Sequence, residues 1–118
     1  MICLGIEGTA HTFGIGIIDE KGKVLADERD VYKPKKGMGI VPKEAAEHHK
    51  NCKEKVFENA LEKAGIDMNE VDVIAYSAGP GLPLCLAVTS NFSKELAKKY
   101  RKEINFEGKG SNEAQNVD

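Results

Sequence analysis

A short polar segment near the N-terminus carries residue types that can bind an anion. It combines one acid with small and hydroxyl-bearing residues between two apolar runs, and these are Glu7, Gly8, Thr9, Ala10 and Thr12. Small residues let backbone amides approach an oxyanion closely, and hydroxyl groups donate further hydrogen bonds. The segment predicts either a phosphate-binding loop or a plain connection that binds nothing. His11, within it, is predicted to be an exposed loop residue.

A second segment of small residues follows a later apolar run and reads SAGPGL. Its candidate ligand contacts are Ser77, Gly79 and Gly81. Glycine lets the backbone come close to a ligand where a strand leads into a helix. An ordinary strand-to-helix turn would have much the same composition, so both interpretations stay open. No base is evident near Ser77, which disfavours a serine nucleophile.

The acidic residues do not match a two-metal nuclease site. Such a site needs several carboxylates around magnesium ions. Glu7 ends the first apolar run, where such a ligand would belong. Asp72 begins the fourth apolar run, and strand alternation does not bring it to the far end. One carboxylate cannot form the site.

Histidines and cysteines predict no metal centre. His48 and His49 are adjacent, so on a helix they should point about 100° apart and cannot chelate one ion as a pair. His49 falls in an apolar stripe and is predicted to be a hydrogen-bonded core or interface residue. Cys3, Cys52 and Cys85 are too scattered for a disulfide framework or zinc spacing. They are predicted to be buried, reduced thiols.

The composition is that of one globular domain. The chain has 118 residues, of which 41% are hydrophobic and 31% charged, with a formal net charge of −2. This charge gives no global positive field for nucleic acid. No window has the length and apolarity of a membrane span, and no signal segment is evident at the N-terminus. A cytoplasmic location is therefore expected.

The predicted elements form an α/β lobe. Three antiparallel strands are expected first, then a helix, a strand, a second helix and a short fifth strand; the ranges are 2–6, 13–18, 24–32, 45–64, 71–79, 88–100 and 103–106. A right-handed crossover would place the fourth strand beside the first, in parallel. This mixed sheet is typical of a ribonuclease-H-like or actin-like lobe. The lobe is predicted over residues 1–106, with a polar, flexible tail over 107–118.

Three segments together resemble a known family. MICLGIEGTAHTFGIGIID, GIVPKEAAEHH and DVIAYSAGPGL occur in the order and spacing of the N-terminal part of the archaeal and eukaryotic tRNA threonylcarbamoyladenosine synthases. These are the catalytic subunits of the KEOPS complex and carry the older label O-sialoglycoprotein endopeptidase. The resemblance covers roughly residues 1–90.

The resemblance implies an actin-like ATPase fold of two lobes, with metal and nucleotide between them. It implies threonylcarbamoyl transfer from an adenylate to the N6 amine of an adenosine next to the tRNA anticodon. Residues 7–12 would be a nucleotide-proximal loop and residues 77–82 the Gly-rich turn near the intermediate, so ATP or an adenylate is the expected ligand. The helices over 45–64 and 88–100 would dock a small KEOPS-type subunit or a second copy. Transfer RNA would bind only as part of a complex, and no membrane is involved.

Several parts of the family's site are not found in the sequence. The region after the second helix, EINFEGKGSNEAQNVD, contains none of the histidines that ligate metal in the family. The Ser-Gly-Gly loop and the second lobe are also missing. A truncated or divergent member that does not catalyse the transfer alone is therefore predicted, and no catalytic residue is assigned. The alternatives are a non-catalytic partner-binding lobe and a lone nucleotide-binding domain.

Overall fold

The computed structural model describes residues 1–108. They form five strands and two α-helices, with a 3₁₀ turn at Met68–Glu70. The elements are β1 (Ile2–Glu7), β2 (Thr12–Asp19), β3 (Val24–Val31), α1 (Pro42–Ala64), β4 (Val73–Ser77), α2 (Pro83–Tyr100) and β5 (Glu103–Glu107). Of the predicted flexible tail, residues 109–118 lie outside the described residues. The predicted boundary between lobe and tail at residue 106 therefore stays a prediction.

The strands form one mixed sheet in the order β3-β2-β1-β4-β5. β1 pairs with β2 in antiparallel fashion, and β2 pairs in the same way with β3. β4 is parallel to β1, and β5 is parallel to β4. This is the arrangement predicted for a ribonuclease-H-like lobe, and β3 lies at one edge of the sheet.

One face of the sheet carries the hydrophobic core. Leu4 pairs with Ile17 on one side and with Ile74 on the other, and all three side chains are fully buried. Phe13 and Phe57 are buried in the same cluster, which joins the sheet to α1 and α2. Alternation along β1, β2 and β4 therefore separates a buried face from an open one.

The opposite face is lined by very small residues. Gly5 lies between Gly16 on β2 and Ala75 on β4, and Glu7 lies opposite Gly14. A Cβ added at Gly5 would have 3.9 Å to its nearest neighbour, a backbone oxygen of Gly16. Because these residues have little or no side chain, another group can approach the backbone closely at the centre of this face.

Both helices begin with proline, at the first helical position where its missing N–H is tolerated. α1 ends as predicted at Gly65, whose φ of 68° is in the left-handed region. α2 begins at Pro83, five residues before the predicted start at 88. The prediction was wrong because SAGPGLPL contains only turn-type and apolar residues before the periodic stretch.

The strand bounds also differ slightly from those predicted. Thr12 is the first residue of β2 and pairs with Val31, so it is a strand residue rather than a loop residue. β4 covers Val73–Ser77 and is shorter at both ends than the predicted 71–79. Within residues 1–108, neither helix is long and apolar enough to cross a membrane.

Candidate functional site

The two segments singled out in the sequence meet at the carboxyl ends of the neighbouring parallel strands β1 and β4. We call them loop 7–12 and turn 77–82. The backbone N–H of Leu82 donates to the Thr9 carbonyl at 2.7 Å. A Cβ added at Gly81 would lie 2.5 Å from that same oxygen. Gly81 is therefore needed for the close approach of the two backbones.

Two residues in the first turns of α2 donate hydrogen bonds to loop 7–12. The Thr89 hydroxyl donates to the Gly8 carbonyl at 3.0 Å, and the Cys85 thiol donates to the Ala10 carbonyl at 3.3 Å. Three consecutive carbonyls, those of residues 8 to 10, thus accept hydrogen bonds from the 77–82 turn and α2. Because each of these carbonyls already accepts a hydrogen bond, the loop backbone is held in one conformation.

Gly8 faces inward, against the protein. An added Cβ would overlap the Thr89 hydroxyl oxygen, and would lie 2.9 Å from Phe13 Cδ1 and 3.2 Å from His49 Cδ2. Close packing against these three side chains therefore explains why residue 8 is glycine. Its predicted contact with a ligand stays a prediction.

The outer side of the loop is open and polar. Glu7 is exposed, and the Thr9 hydroxyl donates to its Oε1 at 3.2 Å. A hollow of about 150 Å³ lies beside them over the glycines of the open sheet face; its lining comprises Gly5, Glu7, Thr12, Gly14, Ile15, Gly16, Asp27 and Arg29. One hydroxyl group, two carboxylates and one guanidinium thus surround this small depression.

Arg29 is the group of this hollow that sequence reasoning missed. Its guanidinium forms two hydrogen bonds to the Asp27 carboxylate, at 2.7 and 3.0 Å. The bonded Asp27 holds the pKa of Arg29 above its ordinary value, and the charge of Glu7 adds to this. Register places Arg29 opposite Gly14, on the same face as Glu7. The signal available in the sequence was the two-residue alternation along β3.

Ser77 and Gly79 have neighbours other than those of Gly81. Ser77 lines a second hollow of about 250 Å³ on the open face, together with Glu7 and Glu107. Gly79 lies against Gly108, where an added Cβ on Gly108 would overlap the Gly79 carbonyl. Gly79 therefore contacts Gly108, the residue that follows β5.

Asp72 lies at the opposite end of the sheet from Glu7. Its carboxylate accepts a hydrogen bond from the backbone N–H of Ile2 at 2.7 Å, at the start of β1. Glu7 ends the same strand. The two acids cannot share a metal pair, as the sequence predicted.

The adjacent histidines contact each other, which corrects the prediction that they point apart. Their Nδ1 atoms are 2.9 Å apart, because the two rings turn toward one another. His49 is fully buried, as predicted for a core residue, and stacks at a tilt on Phe13. Burial, and then the neighbouring His48, lower the pKa of His49 to about 4. His11, also as predicted, is exposed.

Asp30, His48 and Cys52 present the nearest approach to a metal-binding cluster in residues 1–108. The 2.7 Å between Asp30 Oδ1 and His48 Nε2 is a hydrogen-bond distance. Two ligands at tetrahedral angles about one zinc ion would be about 3.3 Å apart. Burial, and then Asp30, raise the pKa of Cys52 to about 11, which disfavours the thiolate. The cluster is better described as a hydrogen-bonded group.

The three cysteines are free thiols, as predicted, but only Cys85 is fully buried. Cys3 and Cys52 are partly accessible: Cys3 faces the open side of the sheet, and Cys52, in the middle of α1, packs against the core without being fully buried. Burial raises the pKa of Cys3 and of Cys85. None of the three is poised as a nucleophile.

Comparisons with known proteins agree with this arrangement. The family model of TsaD, described as tRNA N6-adenosine threonylcarbamoyltransferase, matches residues 23–106. The enzyme of that name from Thermococcus gammatolerans is 56% identical over 104 residues, which are 88% of this chain and 31% of the relative. A probable bifunctional tRNA threonylcarbamoyladenosine biosynthesis protein from Methanocaldococcus jannaschii is 45% identical over 88% of this chain and 19% of its own length.

Solved structures support the fold. YeaZ from Pseudomonas aeruginosa matches 91% of this chain and 42% of its own with a TM-score of 0.71 and 17% identity. RuvC from T. thermophilus matches 92% of this chain and 64% of its own with a TM-score of 0.56 and 14% identity. The chain spans about a third of the length of the tRNA N6-adenosine threonylcarbamoyltransferases that it matches. By sequence it belongs to the TsaD family.

Proposed function

We propose that this lobe supplies one wall of a threonylcarbamoyl-transfer site acting on the adenosine next to the tRNA anticodon, and that it does not complete the reaction alone. The contact between loop 7–12 and turn 77–82 supports the proposal, because it brings two Gly-containing segments to one edge of the sheet. Sites of this kind form where parallel strands end. A second lobe would be required to close the site and exclude water.

The ligand proposed for this wall is ATP or an adenylate. Thr12 and Arg29 offer donors on the open side of the loop, and the Thr9 hydroxyl would become a third if a ligand replaced Glu7 as its acceptor, whereas the carbonyls of residues 8 to 10 point away from this side. The donor set fits a phosphate in part. Glu7 adds a negative charge, so a divalent cation would be needed to bring a phosphate next to it. When bound, the adenylate supplies the activated carbonyl, and the lobe orients it.

Nucleotide binding can be tested by thermal unfolding with ATP and Mg²⁺. At ten times the dissociation constant, binding should stabilise the fold by about 1.4 kcal/mol, which is roughly a 5 °C rise in Tm. Thr9→Ala should remove most of that rise, because a hydroxyl donor to a charged ligand is lost. Thr9→Ser, which keeps the hydroxyl, is the matched control. No rise at millimolar nucleotide would contradict the proposal.

A partner-binding role is the second candidate. α1 and α2 enclose a groove of about 570 Å³ whose floor is apolar, with Leu84, Ala87, Val88 and Phe92 along α2. Leu84 is 50% exposed, although it is a large aliphatic residue at the start of a helix. Lys43, Lys50 and Lys53 line the α1 side together with Glu47, and Glu95 lies on the α2 side, so three basic groups face two acidic ones. An amphipathic helix with acidic flanks fits such a groove.

The occupant that we propose for the groove is the small KEOPS-type subunit. Leu84→Asp should abolish its co-elution with this chain, while Val24→Asp, at an exposed apolar residue of β3, should leave it intact. Light scattering of the chain alone distinguishes self-association. A dimer that Leu84→Asp converts to monomer would favour a second copy as the occupant. Transfer RNA would then meet the lobe within the complex, and the predicted cytoplasmic location stays a prediction.

A further inference from the structure

The segment that connects β3 to α1, together with the first residues of that helix, concentrates positive charge. We call residues 32–43 the basic loop. The whole chain has a formal net charge of −2, but this segment contains no acid and four lysines, which are Lys33, Lys35, Lys36 and Lys43. All four side chains are exposed, and none has an acidic partner within ion-pair distance among residues 1–108. Four uncompensated positive charges are therefore available to an external anion.

A tight turn fixes the position of two of these lysines. The Met38 N–H donates to the Lys35 carbonyl at 2.9 Å, and Gly37 has a φ of 80°. A four-residue turn whose third residue alone is in the left-handed region is of type II, with Lys36 at its second position. Met38 and Ile40, which follow, are 56% and 43% exposed. The loop thus presents cations and accessible apolar side chains close together in the chain.

The basic loop lies at the same end of the sheet as the two segments of the candidate site. At its start, the Tyr32 N–H donates to the His11 carbonyl at 2.7 Å. Its other end leads into α1, where Ala45 belongs to a cluster against which Tyr32 and Leu82 pack. The positive charge is therefore adjacent to the edge that is proposed to face the nucleotide.

Helix electrostatics do not account for these lysines. The N-terminus of α1 is the positive end of the helix dipole, which disfavours a cation such as Lys43 in the first turn. Lys98 and Lys99 have the opposite position, in the last turn of α2, where the negative end of the dipole stabilises cations. Fold stability explains the basic end of α2, whereas it leaves the basic loop unexplained.

An RNA loop is the anion that matches this combination of groups. Separate exposed lysines neutralise successive phosphates of a nucleic acid and release its counterions. Single-stranded RNA loops also expose unstacked bases, which apolar side chains such as those of Met38 and Ile40 can contact. The adenosine next to the anticodon, named in the proposed function, lies in a loop of this kind.

We propose that the basic loop docks an RNA stem-loop, with its four lysines on phosphates, and so brings the unpaired nucleotides to the edge formed by loop 7–12. The identity of the RNA rests on the proposed function, whereas the contact itself rests on the charge and position of the loop. Four phosphate contacts in a single strand give a slope of about −3 for log affinity against log salt. Binding by the lobe alone should therefore be weak, and within a complex it adds to contacts made elsewhere.

Proton–nitrogen NMR of the full chain, titrated with an anticodon stem-loop RNA at about 50 mM salt, tests this contact. We expect the amide signals of residues 33–43 to shift, and the dissociation constant to rise by roughly 50-fold between about 50 and 200 mM salt. Lys35→Gln/Lys36→Gln should weaken binding by about tenfold and reduce the slope by about 1.4. Lys98→Gln/Lys99→Gln removes the same charge at the other end of α2 and should leave affinity within about twofold.

Shifts confined to residues 98–102, or no shifts at all, would overturn the proposal, as would equal losses of affinity in the two double variants. Loss of the Met38 and Ile40 signals with vesicles containing phosphatidylglycerol, without shifts caused by RNA, would identify a membrane surface instead. The titration contains no nucleotide. RNA docking without a rise in Tm on addition of ATP and Mg²⁺ would therefore contradict the nucleotide proposal and leave this one standing.

Discussion

Gly8→Ala is the substitution that most directly tests how loop 7–12 is held. The added methyl group would overlap the Thr89 hydroxyl and press on Phe13 Cδ1 at 2.9 Å. Overpacking of this kind costs about 1–3 kcal/mol, and loss of the Thr89–Gly8 hydrogen bond adds about 1 kcal/mol. Reduced freedom of the unfolded chain returns about 0.5 kcal/mol. The free energy of unfolding should therefore fall by about 1.5–3.5 kcal/mol.

Urea unfolding followed by far-UV circular dichroism measures this change. With a slope of about 1.5 kcal/mol per molar urea, the midpoint should fall by roughly 1–2.3 M. Gly39→Ala is the matched control, since a Cβ there has no atom within 4 Å and its backbone needs no positive φ. That variant should stay within about 0.5 kcal/mol of the parent.

A double-mutant cycle separates this contact from general strain. Thr89→Ala removes the oxygen that the methyl group would overlap, at the expense of its hydrogen bond to the Gly8 carbonyl. The Gly8→Ala/Thr89→Ala variant should be more stable than the sum of the single changes by at least about 1 kcal/mol. Additive effects, or a Gly8→Ala protein as stable as the parent, would refute the assignment of Gly8 to packing against α2.

Three further changes have expected outcomes. As the pH is lowered from 6.5 to about 4, the free energy of unfolding should fall by up to about 1.4 kcal/mol per pH unit, because His49 binds a proton in the unfolded chain but not in the folded one. Urea titrations measure this pH profile, and His49→Gln should flatten it. Gly81→Ala should cost about 1–3 kcal/mol by the same measurement, since its Cβ meets the Thr9 carbonyl, whereas Gly5→Ala should cost less. Alkylation of Cys52 at pH 8, followed by mass spectrometry, should be at least tenfold slower than that of an unfolded control; equal rates would contradict its raised pKa.

The regular elements were predictable because their patterns are local. Phe13, Ile15 and Ile17 alternate with glycines, and the structure buries these three on one face of β2. The spacing of apolar residues after Pro42 likewise identified α1, and Gly65 identified its end. The order of the strands followed from the handedness of crossovers. The strand and helix patterns depend on neighbours within a few residues, and the crossover rule is general, so a single sequence suffices to predict both.

The site was predictable only in outline. Both of its segments were found from their composition, but nothing local indicated that Leu82 donates to Thr9 or that Thr89 supports Gly8 across 81 positions. The start of α2 was missed for the same reason. Its first turn includes Cys85, which is fixed by a hydrogen bond to the distant Ala10 carbonyl. Contacts of this range depend on how the sheet brings strand ends together.

The position of α2 links the groove to the loop. Leu84 and Val88 line the groove on one side of the helix, while Cys85 and Thr89, each one residue later, support loop 7–12 on another. A rigid helix cannot shift at one of these faces without displacing the other. An occupant that moved α2 would therefore move the donors that fix the loop carbonyls. The two candidate roles of the lobe are for this reason mechanically dependent: partner docking and the geometry of the nucleotide-facing edge share one helix.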